Sequence, residues 1–446
     1  MIPRRALLAA LAAVSAASAC AARPPGRTLV IGAGLAGLAA ARALADAGGS
    51  VLVIEARERI GGRVHTSRRW PDLPVDLGAS WIHGTEGNPL TALADEAAAR
   101  RVTTSYARSL TLDADGRPIE ADAAFAPAAR LVDAARTAAL GRDQDLSLAA
   151  AVEEAPGWSR TDAASRRRVR AWINSTLEHE YGGDWTALSA WRFDEGEAYP
   201  GDDVLFPDGL DSLVAHLARD LPVRLGAAVT GVAPRGPGVA LTLDTGEVLT
   251  ADRAIITLPL GVLRSGDLAL AEPLAASRQA AIDGLGMGLL NKCWLRFDRI
   301  VWPEDVDWLG WVGPQDGHWA EWISLARATG APVLAGFNAG RAGREIEALD
   351  DAATRDAAHE ALRAMFGSRF LAPVAAQVTR WSRDPLAQGA YSFNAVGTGA
   401  ATRRALAGAD WDGRLVFAGE AASADHPGTM HGALLSGLEA ARAAAR

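Results

Sequence analysis

Apolar positions in this chain fall into runs of differing length and period, and each kind predicts a different element. The first run, Ala6 to Ala19, follows Arg4 and Arg5 and is too short to span a bilayer. With its basic front and its small residues Ala17, Ser18 and Ala19, it reads as an export signal covering residues 1 to about 25. Next come two four-residue runs, Thr28 to Ile31 and Val51 to Ile54, separated by a Gly-rich turn and an Ala-rich stretch reaching about Ala47. That order predicts strand, helix, strand. From about Leu110 to Arg192 the chain is rich in Ala and Arg and reads as helical. Beyond Leu289 short alternating runs carrying Trp302, Trp308, Trp311, Trp319 and Trp322 suggest an antiparallel sheet, with the tryptophans as its core. Residues 351 to 366 return to a helical pattern.

Composition narrows the class. The 446 residues are 49% hydrophobic and 22% charged, as in a soluble globular protein, and the length suits two domains. A formal charge of -8 argues against a general affinity for nucleic acid or anionic lipid and is compatible with cationic small molecules. No apolar run is long enough for a transmembrane span. Cys20 and Cys293 are the only cysteines, which leaves no disulfide framework. The residues before Cys20 read equally as an ordinary cleavage site or an imperfect lipobox, making Cys20 a candidate lipid anchor. Arg4 and Arg5 resemble the start of a twin-arginine signal, so export to the periplasm or its membrane surface is expected.

Chemistry enters at the first turn. Gly32, Gly34 and Gly37 follow the first strand and open the helix, and Glu55 ends the second strand. In such a Rossmann βαβ opening the first glycine permits the tight turn and the second lets backbone approach a pyrophosphate at the helix N-terminus. The third lets helix pack on strand, and the terminal acid accepts a hydrogen bond from the ribose. Of the 45 Lys and Arg residues only Lys292 is a lysine, and it lies in the strand-like run LeuLeuAsnLysCysTrpLeuArgPhe. A compact ammonium whose pKa shifts readily and which can hold one water differs in kind from a guanidinium fork, which marks Lys292 as a working residue.

Several further segments carry a family resemblance. They are GluArgIleGlyGlyArgValHisThr (58–66), AspLeuGlyAlaSerTrpIleHisGly (76–84), LeuPheProAspGlyLeuAspSerLeu (205–213), ThrLeuProLeuGlyValLeu (257–263), the Lys292 strand, TrpSerArgAspProLeuAlaGlnGlyAlaTyrSer (381–392), and PheAlaGlyGluAla with the HisProGlyThrMetHisGly beyond it. In this order they resemble the flavin-dependent amine oxidases, and within them the polyamine and spermine oxidases and histone lysine demethylases. The resemblance implies FAD as cofactor and assigns roles by position. Arg63 would lie along the pyrophosphate and flavin, and the loop holding Gly78 would pass over the flavin ring. Val229, ending a Val223 to Val229 strand, would touch adenine through its backbone. Glu420 would bind the ribitol, and Thr429 and Met430 would open a helix aimed at the flavin. Trp381 would stand beside the flavin, Tyr391 on the substrate side, His83 at the substrate amine, and Lys292 would hold a water at flavin N5.

Two departures refine this. Ala390 stands where monoamine oxidases carry the cysteine that binds flavin, so FAD should be noncovalent; Thr429 replaces a second cage tyrosine, which predicts a wider pocket. A polyamine also needs anions for its distant ammonium groups, and Glu178, Glu180, Asp194, Glu195, Glu197, Asp202 and Asp203 crowd one region; Glu180 and Glu195 are the candidates. The expected fold class is α/β: a discontinuous Rossmann-like FAD-binding domain (26–100, 205–275, 380–446) and an α+β substrate domain on a mixed or antiparallel sheet (101–204, 276–379). The expected reaction takes a primary or secondary amine, with a polyamine foremost, to an imine and then an aldehyde while oxygen becomes hydrogen peroxide. An L-amino acid oxidase, a carotenoid desaturase-like or protoporphyrinogen-type oxidase, and a noncatalytic flavoprotein or partner-binding subunit stay open as alternatives.

Overall fold

The computed structural model describes residues 26–445, so the expected export segment and Cys20 lie outside the described residues. A six-stranded sheet forms around Thr28–Ile31, which pairs in parallel with Val51–Ile54 on one side and Arg253–Ile256 on the other. Val223–Arg224 extends one edge; Leu415–Phe417, in parallel, and Gly408–Asp410, antiparallel, extend the other. The central strands are apolar on both faces because both faces are covered. On one side lie the helices Leu35–Asp46 and Met430–Ala444, whose backbones approach so closely that a Cβ at Gly437 would stand 2.1 Å from the Ala36 carbonyl oxygen. On the other, a four-stranded sheet built on Val229–Arg235 and Gly238–Leu243 shares a core with Ile31, Ile54 and Phe417.

A second large sheet has seven strands, in the order Ala375–Val378, Leu290–Arg296, Val333–Ala339, Glu321–Ser324, Trp308–Trp311, Ser109–Leu112, Pro118–Ile119. It is antiparallel except where Trp308–Trp311 meets Ser109–Leu112. Trp302, Trp311, Trp319 and Trp322 fill the core on one face, with Trp322 wholly buried; Trp308 belongs to the cluster on the other face. Strand alternation makes that division.

Two sequence expectations need correction. The stretch from Leu110 to Arg192 is not helical at either end: Ser109–Leu112 alternates and then reverses at a turn where the Asp113 carboxylate accepts from the Asp115 and Arg117 N–H groups, helix begins only with Ala121–Leu140, and it stops at Tyr181, leaving 182–192 as turns. Nor is Val223 to Val229 one strand. The chain turns at Gly226, which has a φ of +60°, and Val229 starts the next strand. The Asp351–Phe366 helix forms where expected, capped by the Asp350 side chain on the Ala353 N–H.

The helix Ala163–Trp172 runs into a π-helical stretch, Ile173–Glu178, and one more turn, His179–Tyr181. A π-turn inserts an extra residue into the helical register and re-aims the residues after it. Here it sets the direction of His179 and Glu180.

Candidate active site

The nucleotide cradle is built by close backbone approach. Gly32 holds a φ of +104°, and a Cβ at Gly37 would sit 2.0 Å from the Gly32 carbonyl oxygen, so strand and helix meet at a distance only glycine allows. At Gly34, which caps the helix, a Cβ would meet nothing within 4 Å. That open helix N-terminus fits a pyrophosphate. Glu55 is buried, with one oxygen on the Ala33 N–H at 2.8 Å and the other on the Arg57 N–H at 2.9 Å. Val229 stands two residues past Ala227, whose N–H donates to the Glu55 carbonyl at 2.9 Å, so the corrected strand still starts beside the cradle.

A narrow cleft lined by Arg63, Leu258, Phe417, Gly419 and Glu420 adjoins it. Arg63 donates to Glu420 at 2.8 Å and to the Ala390 carbonyl at 2.9 Å, and Ser392 Oγ donates to Glu420 at 2.6 Å. Burial alone would raise the Glu420 pKa; Arg63, the Ser392 hydrogen bond and Arg403 hold it below the ordinary range. The Thr429 hydroxyl caps the Met430–Ala444 helix, accepting from the Gly432 N–H at 3.0 Å and donating to the His426 carbonyl at 2.9 Å. Gly78 is as constrained as Gly37: its Cβ would stand 1.7 Å from the Arg63 carbonyl oxygen and 3.4 Å from the Trp381 ring. Trp381 is therefore packed onto the 76–80 loop, where its indole N–H reaches the Leu77 carbonyl at 3.3 Å.

Lys292 lies against the same loop, buried. Its ammonium donates to the Gly78 carbonyl at 2.6 Å, the Asp76 carbonyl at 3.3 Å and Ser80 Oγ, and stands 5.4 Å from the centre of the Trp81 ring. All three ammonium hydrogens thus have acceptors within the loop. Burial lowers the Lys292 pKa, opposed by the negative charge of Asp76; the Asp76 carboxyl is itself pushed up by burial, against hydrogen bonds from Thr66 and the Leu210 N–H.

Beyond Trp81, around His83 and Tyr391, lies the candidate substrate recess. The His83 side chain is 62% exposed. Its Nδ1 lies 3.0 Å from one Asp203 oxygen, and the Gly84 N–H donates to the other at 2.9 Å. Desolvation would lower the His83 pKa, but the hydrogen bond and charge of Asp203, helped by Glu180, raise it. Tyr391 donates its hydroxyl to the His179 carbonyl, and its ring covers Gly182, where a Cβ would come within 2.6 Å of it. Trp81 stacks on Trp308 at 5.5 Å, and Trp308 on Tyr106 at 4.6 Å.

Charges felt in this recess are mostly negative. Burial first, then Glu180, raises the Tyr391 pKa; burial, then Glu321, Glu180 and Asp203, raises that of Tyr106. Glu321 also holds His179 Nδ1 at 3.1 Å. The structure brings Lys292, Trp381, His83, Tyr391 and Glu180 into one neighbourhood. Glu195 is not part of it: its carboxylate accepts from the Ala400 N–H at 2.7 Å, at the start of the Ala400–Leu406 helix, and pairs with Arg192. An acid placed where a helix start needs an anion satisfies exposed N–H groups, a role that the crowding of acids in sequence did not reveal.

Sequence reasoning missed Glu321 and Tyr106, named Trp308 only as sheet core, and placed Asp203 among the crowded acids without its link to His83. One signal was present for Glu321. Alternation along Glu321–Ser324 puts it on the face of Ile323, opposite the core-filling Trp322. The His83 to Asp203 pairing depends on Trp81–Ile82 lying antiparallel to Asp203–Leu205, with Ile82 opposite Val204, which no local pattern encodes.

Cradle, cleft and the acids around His83 adjoin one another, and likeness to known proteins gives the family. Residues 35–445 match the model of the flavin containing amine oxidoreductases, and the chain belongs to that family. It is 34% identical to polyamine oxidase 4 of Oryza sativa subsp. japonica, over 94% of this chain and 88% of that protein. Polyamine oxidase 2 of Arabidopsis thaliana is also 34% identical, over 93% of this chain and 86% of its own length. Lysine-specific histone demethylase 1 homolog 2 of Oryza sativa subsp. japonica is 35% identical over 93% of this chain, which spans only 56% of that longer protein.

Proposed function

We propose that the protein is an FAD-dependent polyamine oxidase, with FAD held noncovalently in a Rossmann-like domain and oxygen reduced to hydrogen peroxide. The observation that carries the substrate class is the stack of Trp81, Trp308 and Tyr106 with the carboxylates of Asp203, Glu321 and Glu180 beside it. Stacked rings and anions suit a flexible chain of methylenes and ammonium groups. An L-amino acid needs a cationic clamp for its carboxylate. The anions beside His83 and Tyr391, Asp203 and Glu180, suit an ammonium group better than a carboxylate, which favours the polyamine. The likeness to two plant polyamine oxidases points the same way.

In this reading Gly32, Gly34, Gly37, Glu55 and the backbone at Val229 hold the adenosine and pyrophosphate, and Arg63, Glu420 and the Met430–Ala444 helix start hold the flavin end. When bound, the flavin supplies the acceptor for a hydride equivalent from the carbon beside the amine nitrogen. The chain's part is orientation and proton control. Tyr391 and Trp381 align the amine. Asp203 takes the His83 Nδ1–H, leaving Nε2 to accept a proton or hydrogen bond from the amine, which must be neutral to react. Lys292 holds a water by releasing one of its loop acceptors. Ala390 offers no thiol for covalent attachment. Export by the twin-arginine route with Cys20 as anchor belongs to the same proposal, since that route suits a protein that folds around its cofactor first.

Peroxide release in air tests the substrate site. Replacing Glu180 and Glu321 together by Gln should raise the KM for spermine at least roughly tenfold, the loss of about 1.4 kcal/mol of ground-state binding, and leave a simple aromatic monoamine nearly unaffected. Equal changes for both substrates would remove the acids from substrate binding and the polyamine reading with them.

A further inference from the structure

Glu347 is a buried carboxylate that no lysine or arginine pairs with among the described residues, and it is only 3% exposed. It is the last residue of the Gly340–Glu347 helix, the end at which a negative charge is disfavoured. Burying an anion among neutral partners is costly unless each oxygen is well bonded. The bonds it makes explain its presence. One oxygen accepts from Asn291 Nδ2 at 3.0 Å and from the Ser382 N–H at 2.9 Å; the other accepts from Ser382 Oγ. Asn291 in turn uses its Oδ1 to accept from the Trp381 N–H at 3.0 Å and from Thr379 Oγ1 at 3.2 Å. Thr379 Oγ1 accepts from the Lys292 N–H at 2.8 Å.

Four side chains from three segments thus fix the backbone on both sides of the amine-oxidation site. Asn291 is the strand neighbour of Lys292, and Ser382 the loop neighbour of Trp381. Lys292 and Trp381 converge on the same 76–80 loop, so a slip between strand and loop would move one against the other.

We infer that Glu347 is a positioning residue for the reaction: through Asn291, Thr379 and Ser382 it locks the Lys292 strand to the Trp381 loop and so sets the geometry of both side chains. This rests on the reading that Lys292 and Trp381 flank the flavin. Geometry, rather than charge, is the contribution, which separates the variants. In Glu347→Gln the amide oxygen keeps both N–H donors and the amide nitrogen donates to Ser382 Oγ. Glu347→Ala leaves Asn291 and Ser382 without that acceptor.

The test uses flavin-loaded protein. Glu347→Ala should bind flavin fully, lose kcat by roughly 10- to 100-fold with KM within about twofold, and show an altered visible circular dichroism band of the flavin. Glu347→Gln should restore both the rate and the band. Thr379→Val, nearly isosteric, should slow turnover in the same sense and serves as the probe if Glu347→Ala does not fold. A normal rate and band in Glu347→Ala or, in its place, in Thr379→Val overturns the inference, as does equal impairment of the Ala and Gln variants. If the unmodified protein oxidised no amine, the proposed function would fail instead, while the circular dichroism comparison would still report on the lock.

Discussion

His83 shows how much of this site is set by one pairing. Without a partner, desolvation and the charge of Lys292 would hold its imidazole below the ordinary value of about 6.5. Asp203 overrides the desolvation and raises it. The stability from this raised pKa is therefore fully present below about pH 6.5 and is lost as pH rises through the higher folded value. Asp203, whose own pKa is lowered by His83 despite burial, contributes stability above the ordinary carboxylate value of about 3.9 and loses it on acidification through the lower folded value. The pair is thus most favourable between those limits. Asp203→Asn should lower the His83 pKa and move the acid limb of the kcat/KM profile to lower pH; a limb that stays in place would show that His83 does not set it. At this scale the sequence was most legible where a residue type is irreplaceable. Lys292, Gly37 and Gly78 stand out because no other residue meets the need, whereas Glu195 and Glu180 are the same residue type in neighbouring segments and only the folded chain separates a helix cap from a recess wall.

Elements rather than residues explain why the cradle was readable whole and the recess only in part. Strand, Gly-rich turn, helix and strand are contiguous from Thr28 to Ile54, so spacing alone encodes their geometry. The recess draws walls from Trp81–Ile82, Trp308–Trp311, Glu321–Ser324 and the turn after a π-helical stretch, which are joined only by tertiary pairing. The strand in residues 110–112 escapes the sequence pattern because an Ala- and Arg-rich neighbourhood outweighs a short alternating run that finds its partner almost two hundred residues later. Contact at the element scale makes its own prediction. In Gly37→Val the side chain would press on the Gly32 carbonyl, 2.0 Å from where its Cβ must lie, and part helix from strand. The purified variant should carry little or no flavin by its visible absorbance, and full occupancy would refute the role given to that crossing.

For the whole molecule, the division foreseen from sequence gives each half one large sheet, and we propose it as the domain organisation: a mostly parallel sheet that holds the cofactor and a mixed seven-stranded sheet that shapes the amine site. The 76–80 loop belongs to the first by sequence and is gripped by Lys292 and Trp294 from the second, Trp294 Nε1 donating to the Asp76 carbonyl at 3.2 Å. Substrate is therefore expected to react where the two halves share a loop. The central claim is that a polyamine is oxidised there, and it is tested most directly without oxygen. Purified protein mixed anaerobically with spermine, spermidine, putrescine, an aromatic monoamine and several L-amino acids should lose its visible flavin band rapidly with the longer polyamines and slowly or not at all with the rest. Bleaching by the monoamine or the amino acids alone would contradict the account, and no bleaching by any of them would move weight to the noncatalytic and desaturase-like readings.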